Sequence, residues 1–244
     1  MRVARLVSTL VLTAHGSADP RSSANARALG GHLRRLLPDT EVRVAFCEQN
    51  APNLTEVLPG VAAGAVVVPL LLGSAYHARI DIPALIAEAG TEVTQADVLG
   101  DDPRLLQVVR ERLTAVGVSR FDAGLGVILT GVGSSHPDAN ARTAALAAAL
   151  GEGTRWTGTE VAFATGQSPA LPEAVARLRR RGARRLVIAP WFLAPGRITD
   201  RVAEFARAEG IPMAEPLGSH RLVAATVLDR YEEALAARSA GFAA

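Results

Sequence analysis

Residues 12–20 read LTAHGSADP, and residues 129–137 read LTGVGSSHP. Thr, Gly, Ser and Pro keep their places in both stretches, while His15 of the first becomes Val132 of the second. Working outward, a shift of 117 residues sets Val44 and Phe46 on Val161 and Phe163, Pro52 on Pro169, and Glu56 on Glu173. Past the basic stretch RLRRRGARR at 177–185 the shift becomes 121, which brings Pro69 of VVVPLLL onto Pro190 of APWFL. Further on, Leu99-Gly100 meets Leu217-Gly218. One alignment with a small insertion spans both halves, which is the mark of an internal duplication. The join is expected near VGVSRFDAG, giving domains at residues 1–120 and 121–244.

The bulk composition agrees. A chain of 244 residues, 49% hydrophobic and 20% charged, can bury one large core or two cores of ordinary domain size. The net charge of +2, with no basic block interleaved with aromatics, argues against nucleic acid as a partner. The cluster at 177–185 reads as a helix end and its following turn. A single cysteine excludes an internal disulfide and a cysteine-ligated iron–sulfur cluster, and it fits a reducing cytoplasm. No apolar run is long enough to span a bilayer, so no membrane role is expected. MRVARLVSTLVLTA has the outline of a signal sequence, but its end recurs inside the chain as ILTGVGS, so it reads as a strand.

Each half alternates strands and helices. Residues 6–14 read as a strand ending in a Gly/Ser loop, and 24–37 as a helix with Leu29, Leu33, Leu36 and Leu37 at helical spacing. EVRVAFCE at 41–48 alternates as a strand does, and NLTEVLPGVAAG reads as a second helix or a pair of turns. AVVVPLLL is continuously apolar, as strands buried in parallel sheets are. DIPALIAEAG opens a third helix with Asp81 as its expected N-cap and Pro83 in the first turn. TEVTQADVL and DDPRLLQVVRERL complete the half as a fourth strand and a helix. The fold class is α/β: two tandem similar domains, each a parallel sheet of about four strands flanked by helices, with a cleft between them.

In such sheets ligands bind beyond the carboxyl ends of the strands. His15 follows the first strand, Glu48 ends the second, and His77 follows the third. Two imidazoles and a carboxylate suit a borderline divalent metal such as iron, cobalt, nickel or zinc, and they serve equally as proton acceptors. Under the same shifts His15 meets Val132, Glu48 meets Thr165, and His77 meets Ile198. A structural role would be needed in both copies. The joint loss implies that the three work as a unit in the first domain, and that the loop was copied for its shape.

Other residues carry less. Cys47 should face away from Glu48 along its strand, as a core thiol. His32 falls on a helix edge, and His136 and His220 in second-half loops. Gly16 and Ser17 precede a helix, where free N–H groups attract anions, and Tyr76 and Arg79 flank His77. These four are candidate substrate contacts.

LTAHGSADP, then FCEQNAP, then VVVPLLL followed by HARIDIP, resembles the sirohydrochlorin chelatase family, the ATP-independent class II tetrapyrrole metal chelatases. His15, Gly16 and Ser17 match the family's first element. Phe46, Glu48 and Pro52 match the second, and Pro69, Leu72, His77, Asp81, Ile82 and Pro83 the third. Long family members carry two such domains, so the resemblance covers the whole chain. It departs at Ala18, where the family often has Arg, at Cys47 in place of Leu, and in the GSAYH approach to His77.

The resemblance implies insertion of Co²⁺ or Fe²⁺, with Ni²⁺ a third option, into sirohydrochlorin on the way to cobalamin or siroheme. His15 and His77 would bind the incoming metal, and they or Glu48 would accept the two pyrrole protons. The metal is a substrate, and no permanently bound cofactor is expected. The macrocycle would lie in the inter-domain cleft, its carboxylates held by arginines. A monomer is expected, since one chain supplies both domains. The competing readings are a chelatase for another tetrapyrrole, a metal or tetrapyrrole carrier without chemistry, and a periplasmic binding protein. The last would need a processed signal sequence.

Overall fold

The computed structural model describes residues 8–73 and 77–241. It divides into two compact units, one of residues up to 100 together with 219 onward, the other of residues 101–218.

Unit 1 is built on a parallel sheet of β1 (Thr9–Ala14), β2 (Glu41–Phe46), β3 (Val66–Pro69) and β4 (Thr94–Gln95) in the order β2-β1-β3-β4. β1 lies between two neighbours and Leu10, Val11 and Leu12 are fully buried, so both its faces are covered. α1 (Pro20–Leu36) starts four residues earlier than its apolar spacing suggests. Asp19 accepts a hydrogen bond from the Arg21 amide and Pro20 takes the first helical position, a complete start signal. The segment after β2 is a short helix, α2 (Leu54–Val57), and a 3₁₀ turn (Leu58–Gly60). A π turn (His77–Asp81) leads into α3 (Ile82–Ala89). The fourth strand is only two residues long, with Thr94 paired to Val66 and Gln95 to Val67.

Unit 2 repeats the plan with β5 (Leu125–Gly131), β6 (Gly158–Phe163) and β7 (Arg185–Pro190), all parallel, in the order β6-β5-β7. Its fourth strand shrinks to a single bridge between Ile188 and Met213, so this sheet has three strands, not the expected four. α5 (Pro137–Gly151), α6 (Leu171–Arg180) and α7 (Arg197–Ala208) complete the copy. The basic stretch is the end of α6 and the turn into β7, and its charges are largely paired: Arg177 and Arg181 with the buried Glu160, Arg179 with Glu209, Arg185 with Asp122.

The packing does not divide at residue 120. The last helix of each sequence repeat sits in the other unit. α4 (Pro103–Ala115), from the first repeat, packs on β7 and α5, and Arg110 and Arg112 donate to the carbonyls of Ala149 and Leu217. α8 (Arg221–Gly241), from the second repeat, packs on β3, β4 and α1. There Arg230 donates to the Val98 and Leu99 carbonyls and Arg238 to that of Gly64. Each helix thus closes the unit that the other sequence repeat begins.

Candidate metal centre

The carboxyl ends of β1 and β2 are tied together by backbone. The Cys47 amide donates to the Ala14 carbonyl, that of Glu48 to the His15 carbonyl, and that of Ser17 to the Asn50 side chain. Gly16 makes this closeness possible. Its φ is +102°, and a Cβ there would lie 1.8 Å from the Glu48 carbonyl oxygen. The Ser17 hydroxyl turns inward to accept from the Asp19 amide. Gly16 and Ser17 thus shape the loop that presents His15.

His15 and His77 meet edge to face, with ring centroids 4.0 Å apart and planes at 68°. Each ring is fixed through Nδ1. His15 donates to the Gly16 carbonyl at 3.1 Å, and His77 to Asp81 Oδ2 at 2.5 Å. An acceptor at Nδ1 keeps the proton there and puts the lone pair of a neutral imidazole on Nε2. Both rings are thereby set in the tautomer that ligates through Nε2. The Glu48 carboxylate lies 3.6 Å from His15 Nε2 and accepts from the Gln49 side chain at 2.7 Å. Gln49 takes a left-handed backbone, φ +58°, where a non-glycine residue is uncommon, so the chain bends sharply just past Glu48. Among the described residues no three His, Cys, Asp or Glu side chains close around one point as a cage. The arrangement is two imidazoles in contact with carboxylates on either side, partly open to solvent.

The turn bearing His77 is held from below, where Gln95 of β4 donates to the Ala78 carbonyl. Asp81 was expected to cap α3 but makes no side-chain cap bond: its backbone is already helical at the end of the π turn, Pro83 offers no amide, and its carboxylate lies against His77. The i, i+4 spacing of histidine and aspartate in HARID was the available signal for this pair. Arg79 is exposed on the same turn, and Tyr76 lies outside the described residues. Cys47 packs with the core cluster of Val11, Ala45 and Leu54. Burial, and then the nearby Asp81 and Glu48 charges, push its thiol up to about 11. It stays protonated at neutral pH.

Unit 2 keeps the loop and loses the groups. Gly133 has φ +94°, the Ala164 and Thr165 amides donate to the Gly131 and Val132 carbonyls, and Ser134 Oγ accepts from the His136 amide. Counted back from the glycines that end α3 and α7, Gly90 and Gly210, the place of His77 falls on Arg197 rather than Ile198. Asp81 falls on Arg201. Neither register leaves an imidazole.

The CbiX family model matches the chain twice, over residues 9–116 and 126–234. A sirohydrochlorin cobaltochelatase of Priestia megaterium is 30% identical over 82% of this chain and 68% of its own length. A sirohydrochlorin ferrochelatase of Bacillus subtilis is 26% identical over 93% of this chain and 92% of its own. The solved structure of SirB from Bacillus subtilis with Fe³⁺ superposes with a TM-score of 0.82 at 23% identity, covering 96% of this chain and 98% of that one. The described residues contain no helix long and apolar enough to cross a membrane. The duplicated loop, the paired histidines and these matches converge: the chain belongs to the CbiX family of sirohydrochlorin chelatases.

Proposed function

We propose that this protein is a lyase that inserts Co²⁺ or Fe²⁺ into sirohydrochlorin without ATP, in cobalamin or siroheme biosynthesis. The observation that carries the reading is the contact of His15 and His77, each with its lone pair set on Nε2, in unit 1 alone. Relatives named for both metals support it, and a single cysteine fits a reducing cytoplasm as the place of action.

The chemistry exchanges two pyrrole N–H protons for one M²⁺. The incoming metal is a substrate, held by Nε2 of His15 and of His77 with water in its other positions. Two protein ligands are few enough that the macrocycle nitrogens can replace them. The leaving protons need acceptors beside the metal. Glu48, half-exposed and next to His15, takes one and passes it to solvent, and an imidazole released by the departing metal takes the other. The products are the metallated macrocycle and two protons, with no change in oxidation state.

Anaerobic absorbance of the free-base and metallated macrocycle tests this. The wild-type chain is expected to accelerate the spectral shift with Co²⁺ or Fe²⁺, and a nickel series ranks the third metal. His15→Ala and His77→Ala should each lower the rate at least about a hundredfold, with the melting transition kept. Full activity in both variants would overturn the site. Tight binding by the wild-type chain with no acceleration would overturn the enzyme reading in favour of a carrier.

A further inference from the structure

We propose that Asp81 is a positioning residue for metal capture, acting through His77. This rests on the reading of His77 as a metal ligand.

Three helices of the chain begin with an aspartate followed by proline within two residues: Asp19-Pro20, Asp102-Pro103 and Asp81-Ile82-Pro83. The first two aspartates cap their helices, accepting from the amides of Arg21 and Arg104. Asp81 precedes α3 differently: its backbone is already helical at the end of the π turn, with φ −67° and ψ −50°, and Pro83 stands where the other two find their amide donor, so it makes no cap bond. Its Oδ2 instead lies 2.5 Å from His77 Nδ1. The segment between them is a single π turn, the only one among the described residues, and it puts residues four apart within hydrogen-bond reach at their side chains. Such wide turns inside helices concentrate at functional sites. Gln95 pins the turn through the Ala78 carbonyl, so the pair sits on a held element.

The two imidazoles are therefore not equivalent. His15 Nδ1 rests on a neutral peptide carbonyl, and His77 Nδ1 on a carboxylate. A carboxylate acceptor draws the Nδ1 proton more strongly, enriches the ring in electron density, and makes Nε2 the better donor to a cation. It also stops the ring from rotating away. His77 is the side of the pair that captures the metal, and Asp81 keeps it aimed and electron-rich. In unit 2 the corresponding place carries Arg201, which could do neither.

The test titrates Co²⁺ into the full chain without macrocycle, following the visible ligand-field bands, beside steady-state insertion. Asp81→Ala should weaken Co²⁺ binding, and raise the KM for metal, about 10- to 100-fold, with the KM for sirohydrochlorin unchanged. Asp81→Asn keeps an acceptor oxygen without the charge and should fall between. Wild-type Co²⁺ affinity and spectrum in both variants, with binding lost in His77→Ala, would overturn the role of Asp81 and leave the metal site standing. Wild-type binding in His77→Ala as well would overturn the site and this inference together. If Asp81→Ala does not fold, the isosteric Asn variant decides: weaker metal binding at an unchanged macrocycle KM supports the role, and wild-type metal binding overturns it.

Discussion

Unit 1 and unit 2 are the same frame carrying different side chains. Each has a central parallel strand followed two residues on by a glycine of positive φ, and each zips the following loop to the next strand through the same two amides. In unit 1 that frame presents His15, Glu48 and the His77–Asp81 pair. In unit 2 the matching places hold Val132, Thr165 and arginines, and the Thr165 hydroxyl bonds back to the Val132 carbonyl. A frame that persists where the chemistry has gone is set by folding. Groups that vanish together from such a frame are set by function. On the proposed reading, the duplication works as an internal control, separating residues the loop needs from residues the reaction would need.

The strongest way to break the comparison is to strike the frame once in each unit. In Gly16→Ala the new Cβ would fall 1.8 Å from the Glu48 carbonyl oxygen, a backbone atom that can move only if the two loops part. Insertion should drop at least about a hundredfold, because His15 and Glu48 separate, and stability should fall by about 2–3 kcal/mol. Gly133→Ala meets Gln167 Cγ and Phe163 Cβ at 3.0 Å, a far milder approach than 1.8 Å to a carbonyl oxygen. It should cost about 1–2 kcal/mol for its positive φ and leave insertion within a fewfold of wild type. Denaturant melts and insertion rates of the two variants check both halves. Equal loss of activity would dissolve the distinction between the units.

Cys47 gives a smaller effect and an independent check on the electrostatics of the site. Its thiol is pushed to about 11 by burial and by the charges of Asp81 and Glu48. At pH 8 its thiolate population is about a hundredfold below that of an unshifted thiol near 9, so alkylation by iodoacetamide should be slower by about that factor. The sign for stability follows. The unfolded thiol loses its proton at lower pH than the folded one, so stability from this group is full below pH 9 and declines as pH rises toward 11. Cys47→Ala should lack that alkaline decline. Rapid alkylation at pH 8 would mean that Cys47 is neither buried nor beside two carboxylates.

Much of this was legible in the residues. The repeat and the run of β-branched and apolar strands identify two parallel sheets, and the rule that ligands gather at carboxyl ends brings His15, Glu48 and His77 to one edge. Three things were not legible. The exchange of α4 and α8 leaves no local trace, because both are helices at the same place in their repeats, and only long-range packing decides which sheet each covers. Asp81 has the aspartate and nearby proline of a cap, but the π turn that makes its backbone helical and sets it against His77 has no signature in the sequence. The partner position of His77 in unit 2 also slips by one, since the halves differ by one residue between their shared proline and their helix-ending glycine.

The finest test concerns a residue both units keep. Thr13 and Thr130 are fully buried at matching places near the ends of β1 and β5, and neither hydroxyl has a hydrogen-bond partner among the described residues. A hydroxyl buried without a partner costs free energy, and valine fills nearly the same volume without that cost. Thr13→Val and Thr130→Val should each leave stability unchanged or raise it by up to about 1 kcal/mol, read from the denaturant midpoint at constant m-value. Thr13 lies two residues before His15, next to the end of its strand, whereas Thr130 leads only to Val132. If both threonines belong to the frame, the two variants should match in stability and Thr13→Val should insert metal at the wild-type rate. A loss of insertion in Thr13→Val alone would move that hydroxyl from the copied frame to the working site.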